Sequence, residues 1–213
     1  MSSLLSGIRE TKPTQEITDI LDALKDKVKI RHGEKNKRIF LTIDGKKQIF
    51  LLIQGYCHLM RQWDMRTIIS LHAPLIAGMG MPENKASHLF IQAIDKIEYA
   101  LLPVELFNHY LDEFDLWRQQ ATITTWGLQA QHIYSKTLMG NNNVDVASML
   151  LIELIHEPEC IRCNTTALTY IQDRTLLSRS WIMHFLSELK NAGHIELKRG
   201  VLTKINQLPV NSN

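Results

Sequence analysis

The sequence predicts an α+β protein whose parts follow one another as short strands, a long helix, and a group of helices that ends in two strands. Alternating apolar runs separated by turn residues fill residues 28–102, and apolar residues at helical spacing continue through residues 103–139. Helical segments and a short basic hairpin complete the chain. The expected domains are therefore residues 1–102, 103–139 and 140–213.

The composition is that of a globular protein. The chain has 213 residues, 45% hydrophobic and 22% charged, and no apolar run approaches the roughly 20 residues of a membrane-spanning helix. The N-terminus lacks the apolar segment of a signal peptide, and three cysteines are an odd number for a secreted disulfide framework. We expect a cytoplasmic protein with no membrane partner.

The charge is unevenly distributed along the chain. Residues 161–213 carry seven Lys and Arg and three Asp and Glu, a net charge of +4. The whole chain has 24 basic and 22 acidic residues, so residues 1–160 carry 17 basic and 19 acidic residues, a net charge of −2. This excess favours a polyanionic partner for the C-terminal quarter. A solvated basic surface would have the same composition, so charge alone leaves both interpretations open.

The N-terminal region predicts one amphipathic helix and then a set of short strands. Residues 13–28 carry apolar residues at helical spacing. Residues 38–53, RIFLTIDGKKQIFLLI, predict a hairpin around Asp44-Gly45, because this dipeptide supplies the positive φ angles of a type I′ turn. Further short runs follow up to residue 102, and many short strands at this spacing predict a small sandwich or barrel.

One uninterrupted helix is predicted over residues 103–139. About 35 helical residues would form a rod of about 50 Å, much longer than an average globular helix. Such a rod exposes its apolar stripe unless a second helix covers it, which favours a seam with a second copy of the chain. Packing of the stripe against its own domain is the alternative. The stripe consists of Phe107, Leu111, Phe114, Trp117, Ala121, Thr124 and Leu128.

The last part of the chain predicts a winged helix-turn-helix. Helices are expected at about residues 144–157, 166–173 and 178–191, and residues 194–206 alternate like a hairpin with Arg199-Gly200 at its tip. The last helix has a core-facing stripe of Ile182, Phe185, Leu186 and Leu189, and Ser178 is a suitable N-cap.

Polar residues at the start of that helix lie outside the apolar stripe. In a helix-turn-helix, the first residues of the second helix enter the major groove of DNA. Arg179 could donate two hydrogen bonds to guanine, and Ser180 and His184 offer further contacts. Backbone N–H groups after Ser178 suit phosphates, as do the wing residues Lys198, Arg199 and Lys204. The alternative is the ordinary polar face of a surface helix.

The order of these parts resembles the CRP/FNR class of bacterial transcription regulators. The segments HGEK (32–35), LIQG (52–55) and ELKNAGHIEL (188–197) are similar to that family. Within it, the chain resembles the enterobacterial IprA-type regulators, which are linked by name to hydrogen peroxide resistance. The resemblance implies an N-terminal cyclic-nucleotide-binding-like β-roll (jelly-roll), a long dimerisation helix and a C-terminal winged helix.

The resemblance also implies partners and site residues. Members of the CRP/FNR class are homodimers that bind double-stranded DNA and act with RNA polymerase. The base-reading positions of the family fall on Arg179, Ser180 and His184, of which only Arg179 keeps the family's residue type.

A short phosphate-binding cassette of the nucleotide-binding members resembles residues 73–93. The resemblance places Gly78 where the family has a glutamate for the ribose hydroxyl, and Ser87 where it has an arginine for the phosphate. Lys85 lies nearby, but an ammonium cannot supply the bidentate fork of arginine. We therefore expect no cyclic nucleotide binding and no cofactor, and the sequence leaves any other effector undefined.

Cys160 and Cys163 form a C-x-x-C spacing that His156 precedes. They could be a redox-active dithiol, part of a zinc site, or two ordinary cysteines in an interdomain loop. Zinc would need further ligands that are not evident, and three cysteines cannot supply an iron–sulfur site of four. We expect no bound metal; the dithiol and the ordinary cysteines remain open.

No Gly-rich phosphate loop, nucleophile motif or paired catalytic carboxylates stand out, so an enzyme is not expected. The alternative to a DNA-binding regulator is a ligand-binding or protein-interaction module whose winged helix contacts protein.

Overall fold

The computed structural model describes residues 10–79, 88–139 and 142–208, apart from the side chains of residues 136–139. Residues 12–128 form one compact unit, and residues from 129 onward belong to a second. Among the described residues, no helix combines the length and the apolar character needed to cross a membrane.

The described part of the first unit contains a curled roll of two antiparallel sheets, as the sequence predicted. One sheet has the strand order β1-β9-β4-β3 with β7 paired to β4, and the other has the order β2-β8-β5-β6. The strands are β1 (Arg31–Gly33), β2 (Arg38–Phe40), β3 (Thr42–Ile43), β4 (Lys46–Gln54), β5 (Tyr56–Arg61), β6 (Thr67–His72), β7 (Leu75–Ala77), β8 (Leu89–Ala93) and β9 (Ile97–Pro103).

The predicted hairpin at Asp44-Gly45 is confirmed. It joins β3 to β4, and its two turn residues have φ angles of 51° and 76°. Both values lie in the left-handed region that a type I′ turn requires at its two central positions.

Strand β4 is covered on both faces, which explains its nearly continuous apolar run. Phe50 and Leu52 are buried in the cluster between the two sheets. Ile49 and Leu51 are buried in a second cluster, beneath helices α1 (Thr14–Leu24) and α2 (Val104–Glu113). A strand that is buried on both faces carries apolar residues at successive positions instead of alternating apolar and polar ones.

The prediction of one unbroken helix over residues 103–139 was wrong. Helix α2 ends at Glu113, and helix α3 (Trp117–Met139) begins after a break. Asp115 takes a left-handed φ of 53°, and the Trp117 indole Nε1 donates to Asp112 Oδ1 at 2.7 Å across the break. The break lets Leu116 enter the cluster that holds α2 on the sheet. Residues 114–116 contain neither Gly nor Pro, and the apolar spacing continues across them, so the sequence did not predict the break.

The break divides the predicted apolar stripe between two environments. On α2, Phe107 and Leu111 are fully buried. On α3, Trp117, Ala121, Thr124 and Leu128 lie on an exposed face, with Trp117 at 42% and Leu128 at 62% exposure. These four residues, here called the α3 outer stripe, keep the spacing of four, three and four residues that a two-helix seam uses.

The second unit contains the predicted winged helix-turn-helix. Its elements are α4 (Asn143–Ile155), α5 (Glu159–Arg162), α6 (Ala167–Gln172), α7 (Arg179–Asn191), β10 (Ile195–Lys198) and β11 (Val201–Ile205). The hairpin tip at Arg199-Gly200 is confirmed, with φ angles of 52° and 84°. Cys160 was expected in a loop, but residues 159–162 form one helical turn after Pro158.

Candidate nucleic-acid interface

Helix α7 has the two faces that the sequence predicted. Ser178 is its N-cap, and the Ser178 hydroxyl accepts a hydrogen bond from the Trp181 backbone N–H at 3.2 Å. Ile182, Phe185, Leu186 and Leu189 are buried. The capping serine therefore fixes where the helix begins, and the buried stripe fixes which face is turned outward.

The outer face of α7 brings the predicted base-reading residues together. Arg179, Ser180 and His184 are all exposed at the start of the helix. His184 Nδ1 lies 3.2 Å from Glu188 Oε2, and the Ser180 hydroxyl lies 3.2 Å from that of Ser178. The His184–Glu188 pair is solvent-exposed and therefore weak, so His184 can exchange it for another partner.

Sequence reasoning missed Met183, which lies on the same outer face. Its side chain is 54% exposed, whereas the neighbouring Ile182 is buried. No role was assigned to Met183 from the sequence, which placed Ile182, Phe185, Leu186 and Leu189 in the core stripe. The signal that could have found it is its position outside the three-and-four spacing of that stripe.

The wing is attached to the first helix of the motif. The Ala167 backbone N–H donates to the Gly200 carbonyl at 2.8 Å, which holds the tip of the hairpin against the start of α6. Lys198 and Arg199 at this tip are exposed. Lys204 is also exposed, and its Nζ lies 3.6 Å from Glu196 Oε1 on the opposite strand. Such an exposed ion pair contributes little to stability, so a phosphate can replace the Glu196 carboxylate as the partner of Lys204.

A charged cluster is buried beneath the turn that leads into α7. The Tyr170 hydroxyl donates to Glu157 Oε1 at 2.9 Å, and the Arg174 guanidinium lies 3.5 Å from the centre of the Tyr170 ring. Arg174 Nη1 also donates to the Tyr170 carbonyl at 3.3 Å. Glu153, Glu157 and Arg174 are all buried. This Arg174 cluster joins α4 to α6 and to the turn before the outer-face residues.

The pKa values of two tyrosines are shifted by burial and by the charges of the Arg174 cluster. Burial and then the Glu153 charge raise the pKa of Tyr170 well above its usual value, while Arg174 acts in the opposite direction. Burial is also the largest cause that raises the pKa of Tyr134, near the end of α3; Glu153 and Glu157 raise it further, and Arg174 again acts in the opposite direction. Sequence reasoning missed this cluster, although Glu153 within the apolar run LLIELI was a signal of a buried carboxylate.

The region that resembles the nucleotide cassette has little space at its described end. Gly78 has a φ of 108°, and a Cβ there would lie 2.6 Å from the Gln48 carbonyl oxygen. A glutamate cannot be placed at this position without moving the backbone. Ser87 and Lys85 lie outside the described residues. The roll interior contains Phe50 and Tyr99 in ring contact, and Trp126 of α3 packs against the same cluster.

The three cysteines have different environments. Cys57 is buried in the roll, and burial raises the pKa of its thiol to about 12. Cys160 is half-buried and Cys163 is exposed, and neither forms a disulfide. The Cys163 thiol lies 4.0 Å from Glu159 Oε1. Across the described ranges, no three His, Cys, Asp or Glu side chains are grouped so that they could hold a metal ion.

Comparison with known proteins agrees with this architecture. Residues 145–210 match the family model "Winged helix-turn-helix DNA binding". A Salmonella typhimurium protein named "Inhibitor of hydrogen peroxide resistance" is 28% identical over 207 residues, which cover 93% of this chain and 97% of that protein.

Two solved structures share the fold. The c-di-GMP-responsive global regulator CLP of Xanthomonas campestris gives a TM-score of 0.69 at 14% identity, covering 89% of this chain and 100% of CLP. A regulator from Eubacterium rectale, described as belonging to the crp/fnr family, gives a TM-score of 0.61 at 16% identity. The match covers 89% of this chain and 90% of that regulator. The resemblance to CRP/FNR-type regulators is therefore confirmed as a shared fold, and the C-terminal domain is a winged helix-turn-helix of the DNA-binding class.

We predict that Arg174→Met lowers the free energy of unfolding by about 3–5 kcal/mol, because it removes the buried guanidinium from a cluster that also holds two buried carboxylates. The matched variant Arg179→Met removes the same side chain from an exposed site and should change stability by less than about 0.5 kcal/mol. Urea-induced unfolding at one protein concentration measures both. Equal, small losses for the two variants would contradict a stabilising role for the Arg174 cluster.

Proposed function

We propose that the chain is a cytoplasmic, homodimeric transcription regulator that binds double-stranded DNA in a sequence-specific manner. The observation that carries the proposal is the exposed outer face of α7. Arg179, Ser180 and His184 stand together there, beside a basic wing and above a tightly packed core. RNA polymerase is the further partner that this function implies.

In the proposed complex, the start of α7 enters the major groove. Arg179 donates two hydrogen bonds to the O6 and N7 atoms of a guanine, and Ser180 and His184 contact neighbouring base edges. Lys198, Arg199 and Lys204 bind backbone phosphates, which add affinity without sequence information. Backbone N–H groups at the start of α7, where Ser178 is the cap, offer a further phosphate site.

We propose that the dimer forms through the α3 outer stripe. The exposed apolar surface of Trp117 and Leu128 supports this, because a second copy of α3 would remove it from water. A dimer with twofold symmetry places its two α7 helices for half-sites about one helical turn apart, roughly 34 Å.

The competing function is a protein-interaction module whose winged helix binds another protein. The salt dependence of binding distinguishes the two. Phosphate contacts release counterions, so specific DNA binding should weaken steeply as salt is raised, whereas a protein contact through an apolar surface should not.

A selection of duplex DNA from a random pool at near-physiological salt tests the proposal. Wild-type protein should enrich a symmetric site, and the double variant Arg179→Ala, His184→Ala should enrich none, because it lacks the base-reading side chains. The double variant Lys25→Ala, His109→Ala removes similar exposed side chains from the other unit and should select the wild-type site. Failure of wild type to enrich any sequence would favour the protein-interaction module.

We also propose that cyclic nucleotides do not regulate this protein. The crowded backbone at Gly78 and the apolar roll interior support the proposal. A titration of the full chain with cyclic AMP, followed by calorimetry, should give no saturable binding in the micromolar range. Saturable micromolar binding would overturn it, and the CRP/FNR-like roll would then hold its ligand by groups other than those of the family.

Finally, we propose an oxidative input through Cys160 and Cys163. The name of the Salmonella relative, the exposure of Cys163 and the three-residue spacing of the two thiols support it. One hydrogen peroxide would oxidise both thiols to a disulfide and release two waters. A disulfide across α5, shortly before α6, would change how the DNA-binding helices are presented.

We predict that stoichiometric peroxide changes the affinity for the selected DNA site in wild type and leaves it unchanged in a Cys160→Ser, Cys163→Ser variant. Cys57 should stay reduced, because its buried thiol forms little of the reactive thiolate at neutral pH. Mass spectrometry identifies the disulfide, and fluorescence anisotropy measures the affinity. An unchanged affinity in protein whose disulfide is confirmed would eliminate the oxidative input.

A further inference from the structure

Two large apolar side chains are exposed in the described part of the winged helix-turn-helix. Among the described residues 142–208, the exposed large hydrophobic residues are Leu176, at 85%, and Met183, at 54%. Leu176 lies in the turn before α7, and Met183 lies on the outer face of α7. A single exposed apolar side chain is common on protein surfaces, but one that stands among residues that bind a partner is placed to contact an apolar group of that partner.

Met183 stands among the side chains that the proposed function assigns to base reading. It follows Arg179 by four residues and Ser180 by three, and it directly precedes His184, so all four share the first turns of one helix face. Leu176 precedes the N-cap Ser178 and is not part of the helix. Of the two exposed apolar residues, Met183 is therefore the one that would enter a groove with α7.

The surroundings of Met183 favour DNA over protein as the source of the apolar group. Arg179 lies on the same face, and Lys198 and Arg199 form the exposed wing tip of the same domain. An isolated apolar side chain on the same helix face as Arg179, in a domain with a basic wing, complements a polyanion that carries a small apolar group. In the major groove, only thymine presents one, its C5-methyl group.

We propose that Met183 packs on the C5-methyl group of a thymine in each half-site, an inference that rests on the proposed DNA-binding function. The long, unbranched methionine side chain adapts easily to such a contact. Arg179 and Met183 are separated by about 6 Å along the helix. This corresponds to about two base-pair steps of 3.4 Å, so the thymine lies within about two base pairs of the guanine that Arg179 reads.

Replacement of thymine by deoxyuridine tests this contact, because it removes the methyl group and leaves base pairing intact. Each thymine of the selected site is replaced in turn, symmetrically in both half-sites. At one position, the replacement should weaken wild-type binding roughly fourfold per half-site, the effect of losing one buried methyl group. Met183→Ala should bind the thymine and deoxyuridine sites with equal affinity.

Leu176→Ala is the matched control, because it removes a neighbouring exposed apolar side chain outside α7. It should keep the full difference between thymine and deoxyuridine. If wild type selects a site but binds its deoxyuridine forms equally well, or if Met183→Ala keeps the methyl dependence, the inference is overturned while the regulator function stands. If wild type selects no site, the proposed function itself has failed.

Discussion

The arrangement of the winged helix-turn-helix depends on one buried charge, that of Arg174. Its guanidinium lies against the Tyr170 ring, and the Tyr170 hydroxyl donates to buried Glu157. A buried ion that loses its partner costs several kcal/mol, so α4, α6 and the turn before α7 must keep the arrangement that pairs these groups. Arg174 is buried in the turn that precedes α7, the helix that carries Arg179.

Two further contacts complete this arrangement. The Ser178 hydroxyl sets the first turn of α7, and the hydrogen bond from the Ala167 N–H to the Gly200 carbonyl holds the wing against α6. The reading helix and the basic hairpin are thus joined through α6 and the turn that follows it. A surface built this way presents its cations in a fixed geometry, which lowers the entropic cost of binding a polyanion.

The interior of the roll is filled by its own side chains. Strand β4 is buried on both faces, and Phe50, Tyr99 and Trp126 contribute to the inner cluster. Gly78 requires a backbone conformation and a close approach to the Gln48 carbonyl that exclude a longer side chain. The described interior of the roll is therefore occupied by the chain's own side chains and backbone.

The sequence by itself determined the elements whose causes are local. The turn at Asp44-Gly45, the cap at Ser178 and the core stripe of α7 follow from backbone preferences and helical spacing, and all three are present. Only the tertiary structure decided the break at residues 114–116, because Leu116 leaves the helix to join a core that distant strands create. The same reason applies to Arg174: whether a residue is buried depends on which elements pack around it, and a one-dimensional pattern does not contain that information.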